Sequence, residues 1–314
     1  MPLDPLTKAF LDQLDTMPTP KLWEMSPASA RMASAVVMKL ANPKDMPIGK
    51  IQNRDMPGPG GNIALRLYTP VAAGGEALPA VVYFHGGGFV IGDLESHDAI
   101  CRLLAEQSGA RVIAVDYRLA PEHKFPAAVE DAFAAVNWVE ANAADIGVDA
   151  NRIAVAGDSA GGTLSAVVCQ LAKAQGGPSI AAQLLMFPVT QLGGSFSSLH
   201  EFAAGYFLEK QTMDWFFGHY LPAWADLSDA RLSPLLAESV GGLPPAYVML
   251  GGCDPLHDEG LAYAEKLRAA GVPVTIADYP GMVHCFIFLQ AIVPQAYTAL
   301  TDAANALRRV FGTL

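Results

Sequence analysis

Short, almost continuously apolar runs recur along this chain between helix-like segments, and that rhythm restricts the folds open to it. Residues 80–84, 112–115, 153–156, 182–187, 246–250 and 274–279 are of strand length. The segments 97–108, 127–143, 162–174, 259–270 and 291–310 carry helical patterning between and after them. A half-exposed strand alternates apolar with polar residues, whereas a strand covered on both faces does not. The repeated strand–helix alternation therefore predicts an α/β fold with a mostly parallel sheet flanked by helices.

Two stretches depart from the rhythm. Residues 5–42 read as helical, with Phe10, Leu11 and Leu14 on one face, a Pro-rich break at 18–20 and a second run over 28–40. Residues 48–68 then form two strand-like runs around a turn-rich 57–61, with a loop at 72–76. Residues 190–240 interrupt the alternation and hold Phe196, Phe202, Tyr206, Phe207, Trp215, Phe216, Phe217, Tyr220 and Trp224. These aromatics fit either the core of an ordinary helical insertion or a lid facing a ligand. The expected organisation is one catalytic domain, 46–189 with 241–314, elaborated by an N-terminal helical part at 1–45 and an insertion at 190–240.

Charge and composition exclude several classes of partner. A formal net charge of −11, from 31 acidic against 20 basic residues, repels phosphate backbones and anionic membrane surfaces. No apolar run approaches the roughly 20 residues of a membrane-spanning helix, so integral membrane association is not expected. The first residues lack the basic segment and apolar run of a secretory signal, which points to the cytoplasm. Cys101, Cys169, Cys253 and Cys285 fall in no metal-binding or redox spacing and are read as free thiols, most of them buried.

The chemistry-bearing residues cluster at predicted strand ends. Gly157, Asp158, Ser159, Ala160 and Gly161 form G-x-S-x-G between the strand ending near Ala156 and the helix opening near Gly162. That strand, sharp turn and helix are what a nucleophile elbow requires, with small neighbours allowing the flanking chain to approach closely. His85, Gly86, Gly87 and Gly88 follow the strand 80–84, and consecutive glycines let backbone N–H groups face a developing oxyanion. Gly87 and Gly88 are assigned as donors with Ala160 as the third, Gly86 being the alternative. His85 is read as a residue that holds the loop by hydrogen bonding. Chain order in such folds runs serine, acid, histidine, which leaves His257 and His284 as candidate bases. His257 lies three residues after Asp254 at the start of a helix, whereas His284 follows the strand 274–279 and has a loop of its own. Asp254 follows the strand 246–250 and a glycine pair. Its rivals Asp258 and Glu259 lie where acidic residues ordinarily compensate a helix N-terminus. The candidate set is thus Ser159 as nucleophile, His284 as general base and Asp254 as the group that orients it. Burial of His284 and the charge of Asp254 pull the imidazole in opposite directions.

Taken together, HGGGF, DYRLAPEHKFPAAVED, GDSAGG, DPLHDEG and GMVHCF resemble the hormone-sensitive lipase family of α/β-hydrolases, in order and over residues 83–286. The resemblance implies an eight-stranded, mostly parallel sheet with a helical cap made from the N-terminal helices and an insertion after the sixth strand. It also implies a carboxylesterase acting on short to medium acyl esters without a cofactor. The expected partner is a small-molecule ester and not a nucleic acid. A homodimer is left open.

Overall fold

Eight strands form one sheet in the order β1-β2-β4-β3-β5-β6-β7-β8 in a computed structural model that describes residues 2–41, 43 and 46–314. The strands are β1 (Lys50–Gly58), β2 (Gly61–Thr69), β3 (Leu78–Phe84), β4 (Arg111–Val115), β5 (Val148–Asp158), β6 (Ala182–Met186), β7 (Ala246–Cys253) and β8 (Val274–Val283). β2 runs antiparallel to both its neighbours, and from β4 to β8 every pairing is parallel. The short apolar runs give this result because both faces of the central strands are covered. In β5, Ile153 and Val155 enter one core, and Ala154 and Ala156 enter the other.

The first core packs the sheet against α4 (Ala127–Ala141), α5 (Ala160–Gln175) and α8 (His257–Ala269), through side chains such as Val136, Leu164 and Leu267. The second packs it against α3 (Asp98–Ser108) and α9 (Pro294–Phe311), through Ile100, Leu104, Leu300 and Leu307. Removing such side chains from water contributes roughly 1.5 to 3 kcal/mol each, which makes this two-sided burial the principal stabilising term.

Several boundaries differ from the sequence expectation by a few residues, β5 running over Val148–Asp158 and β7 reaching Cys253, and two of the differences have a clear local cause. β8 continues past Tyr279 to Val283, because Pro280 and Gly281 are absorbed by an irregularity in the ladder opposite Gly251–Cys253. The last helix begins at Pro294 rather than at residue 291, with proline in the first turn where its missing N–H costs nothing.

α1 (Pro5–Asp15) packs against β8 and against the insertion between β6 and β7, and α2 (Pro27–Ala41) is tied to the loops that follow β3 and β4. The expected helix limit at residue 42 falls outside the described residues. Asp4 caps α1 by accepting the N–H groups of Leu6 and Thr7, and its own N–H donates to the Gly281 carbonyl at 3.0 Å. Leu11 shares a small core with Phe202, Cys253 and Val283, and the rings of Phe10 and Phe207 lie 6.3 Å apart. From α2 the Arg31 guanidinium donates to the carbonyls of Val90 at 2.8 Å and Ala120 at 2.9 Å. The insertion contributes two helices, α6 (Ser197–Glu201) and α7 (Lys210–Tyr220), joined by turns.

Candidate active site

Ser159, Asp254 and His284 each stand one residue beyond the C-terminal end of a strand, β5, β7 and β8 respectively, and His85 does the same after β3. Because these strands run parallel, the four ends share one edge of the sheet.

The turn at Ser159 is strained. Its φ of 52° and ψ of −120° lie in a region that costs a non-glycine residue on the order of 1 to 3 kcal/mol. The flanking glycines are required by contact, since a Cβ on Gly161 would stand 1.9 Å from the Phe84 carbonyl oxygen and one on Gly157 would stand 2.3 Å from Gly161. The Ser159 N–H donates to the Met186 carbonyl at 2.8 Å, which ties the elbow to β6.

His284 Nε2 lies 3.0 Å from Ser159 Oγ, and its Nδ1 lies 2.7 Å from Asp254 Oδ2. All three side chains are buried. Asp254 Oδ1 accepts the Leu256 N–H at 2.8 Å, which fixes the carboxylate. Burial pulls the His284 imidazole down, but the Asp254 carboxylate outweighs it and holds the ring well above its ordinary value. With the Nδ1 proton on the Asp254 side, Nε2 is the lone-pair nitrogen facing the Ser159 hydroxyl. An alcohol, a base and an oriented carboxylate in this sequence can activate an oxygen nucleophile.

Gly87 and Gly88 have φ values of 116° and 58°, so both are in conformations that favour glycine. A Cβ on Gly87 would meet the Ile91 carbonyl oxygen at 2.2 Å. The Gly86 N–H is already committed, 3.0 Å from Asp158 Oδ1 and 3.1 Å from His97 Nε2. Ala160 opens α5, where the first-turn N–H groups have no intrahelical acceptor. His85 holds the loop through a 2.8 Å contact from Nδ1 to the Gly86 carbonyl and stacks on Tyr117 at 4.2 Å. The Tyr117 hydroxyl donates to the His85 carbonyl at 2.7 Å.

The rival candidates are engaged elsewhere. His257 lies between Asp258 at 2.9 Å and Asp278 at 3.2 Å, and hydrogen bonding to Asp278, opposed by its burial, raises it to about 9. Asp258 also accepts the Ser198 N–H. Glu259 is buried and accepts the N–H groups of Thr190 at 2.6 Å and Gln191 at 3.3 Å, where the insertion begins. Burial pushes its carboxyl up to about 8. Sequence reasoning missed this link, and it also missed the contacts of Asp158 with Tyr83 and His97. No local pattern signals that partners so far apart in the chain will meet.

Among the described residues no group of three or more His, Cys, Asp or Glu is arranged to hold a metal ion, and no helix is long and apolar enough to cross a membrane. Cys101, Cys169 and Cys253 are buried free thiols, and Cys285 is half-buried.

A profile described as the alpha/beta hydrolase fold matches residues 81–288, which takes in every strand end just described. The chain belongs to the hormone-sensitive lipase family of α/β-hydrolases. Among its relatives, the carboxylesterase NlhH of Mycobacterium tuberculosis is 40% identical over 313 residues, covering 98% of this chain and 96% of that protein. An ethyl acetate hydrolase of Pseudomonas putida is 41% identical over 255 residues, 80% of this chain and 79% of its own. Among solved α/β-hydrolase structures, an ester-hydrolase from the metagenome of Lake Arreo, complexed with a derivative of bipyridine phosphonate, superposes with a TM-score of 0.97 at 43% identity. That match covers 99% of this chain and 100% of the other. The hyperthermophilic esterase of Pyrobaculum calidifontis gives 0.93 at 40% identity over the full length of both chains.

Proposed function

We propose that this hydrolase is a serine carboxylesterase acting on small esters of short to medium acyl chains. The observation that carries the proposal is the continuous contact from Ser159 Oγ through the His284 ring to Asp254, at 3.0 and 2.7 Å. His284 Nε2 accepts the Ser159 proton as Oγ attacks the ester carbonyl carbon, and the carbonyl oxygen takes up negative charge. The N–H groups of Gly87, Gly88 and Ala160 receive that oxyanion. Collapse of the tetrahedral intermediate breaks the bond to the alkoxy group, which leaves with the proton from His284. Water repeats the sequence on the acyl-enzyme and releases the acid. Asp254 fixes the imidazole tautomer and stabilises its cationic form.

The acyl preference is supported by the insertion. α7 buries Phe216 and Tyr220 over the glycine loop, and the Tyr220 ring stacks on Phe89 with centroids 4.0 Å apart. In this reading the N-terminal helices and residues 190–240 form a cap over the domain built from 46–189 and 241–314. Each buried methylene adds about 0.8 kcal/mol until the pocket ends, so kcat/KM rises and then falls with acyl length. A series of p-nitrophenyl esters from acetate to palmitate tests this. The expected result is a maximum at short to medium chains. A continued rise to palmitate, with faster turnover on emulsions than on soluble esters, contradicts it.

A further inference from the structure

We infer that Asp158 is a positioning residue for this reaction, its buried carboxylate fastening the oxyanion loop to the nucleophile elbow so that Ser159 and the loop N–H groups keep one spacing. The inference rests on the esterase reading above. Asp158 directly precedes Ser159, so its side chain diverges from the nucleophile and has no access to the reacting proton. The carboxylate is instead turned toward the chain leaving β3. The paired residues of β3 and β5 end at Phe84 and Gly157, where one strand departs into the glycine loop and the other into the elbow. Just beyond that last pair, Asp158 Oδ1 accepts the Gly86 N–H at 3.0 Å and replaces the missing backbone rung.

The fit around this bond leaves little freedom. A Cβ on Gly86 would stand 2.2 Å from Asp158 Oδ2, so the loop lies directly on the carboxylate. The Tyr83 hydroxyl donates to Asp158 Oδ1 at 2.6 Å from the C-terminal end of β3, and His97 Nε2 stands 3.3 Å from the same oxygen. His97 is in turn held by Ser96 Oγ at 2.9 Å from its Nδ1. A fully buried carboxylate without such partners is strongly disfavoured. Burial acts to raise Asp158, but His97 and Tyr83 hold it below the ordinary carboxylate range, so it accepts as an anion. Gly87 and Gly88 follow the anchored residue immediately. Oxyanion donors act only when they lie within hydrogen-bond distance of the transition-state oxygen, so displacing them lowers kcat while ground-state binding is little changed.

Kinetics on p-nitrophenyl butyrate, together with the rate of inactivation by a p-nitrophenyl phosphonate, test the inference in Asp158→Ala, Asp158→Asn and Tyr83→Phe. Loss of one oxyanion donor costs about a hundredfold to a thousandfold in kcat, so displacement is expected to cost about tenfold to a hundredfold in Asp158→Ala. KM should stay within about threefold, because ground-state binding is not the affected step. Phosphonylation should slow in the same proportion as kcat. Asp158→Asn, which retains an acceptor for the Gly86 N–H, should recover part of the loss, and Tyr83→Phe should show a smaller one. Folded variants that keep kcat and lose only thermal stability, or whose whole deficit lies in KM, overturn the inference. If Asp158→Ala does not fold, normal kcat in both Asp158→Asn and Tyr83→Phe overturns it equally. Absence of ester turnover in the unmodified protein would instead reject the esterase reading.

Discussion

Gly88 and Phe216 are in direct contact, the glycine Cα lying so close beneath the ring that an added Cβ would stand 2.2 Å from it. Phe216 belongs to α7, so the insertion between β6 and β7 rests on the loop whose N–H groups are proposed to hold the oxyanion. A change at this contact would therefore reach both the insertion and the proposed oxyanion donors.

Gly88→Ala should disable the enzyme for two reasons. The position has a φ of 58°, which costs an alanine about 1 to 2 kcal/mol, and the methyl group collides with Phe216. We expect kcat to fall at least about a hundredfold, the scale of a lost oxyanion donor, with KM less affected. Adding Phe216→Ala removes the collision but not the backbone cost, so the double variant should recover only part of kcat. Near-normal turnover in Gly88→Ala would remove this glycine from the oxyanion site.

The pH profile should carry the signature of the Asp254 and His284 pair. His284 accepts a proton only when neutral at Nε2, so kcat/KM falls as pH drops through its titration. Asp254 holds that titration above the ordinary imidazole value of about 6.5 against the opposing effect of burial. Asp254→Asn should move the acid limb downward and reduce kcat on the order of 10⁴-fold, since the imidazole loses both its tautomer control and its counter-charge. An acid limb left in place by this substitution would contradict the assignment.

Glu259 predicts a distinct effect on stability. Its carboxyl titrates at about 8 when folded because of burial, against about 4.3 for an exposed glutamate. Between those values the unfolded chain has released a proton that the folded chain retains, so this residue makes stability fall as pH rises from about 5 to 8. Glu259→Gln does not titrate and keeps an acceptor for the Thr190 and Gln191 N–H groups. It should therefore gain on the natural protein by up to a few kcal/mol over that window. Urea unfolding at about pH 5 and pH 8 checks this, and a difference that does not change with pH would contradict it.

The parts legible in the sequence were those encoded locally. Five-residue apolar runs such as 80–84 and 246–250 are of strand length and alternate with helix-length segments, so the sheet could be read from them. The G-x-S-x-G turn, the glycine run and the histidine after the last strand likewise identified residues that the fold brings to one edge. The end of β8 was not legible, because Pro280 and Gly281 signal a turn and only pairing with β7 carries the strand on to Val283. Nor was the fate of the aromatic residues in the insertion. Phe216 packs on Gly88, Tyr220 stacks on Phe89, and Trp224 is exposed, outcomes decided by tertiary packing and not by composition. The Asp158 network escaped for the same reason, since Tyr83, Gly86 and His97 converge on it only once β3 and β5 are paired.

Covalent labelling decides whether Ser159 is the nucleophile. A fluorophosphonate should react once per chain, abolish ester hydrolysis in proportion to the extent of labelling, and appear by peptide mass mapping on the segment containing Gly157 to Gly161 at Ser159. Ser159→Ala should take up no label and lose on the order of 10⁶-fold in kcat while remaining folded. Stoichiometric labelling of a different serine, or full ester turnover with Ser159 blocked, would exclude Ser159 as the nucleophile.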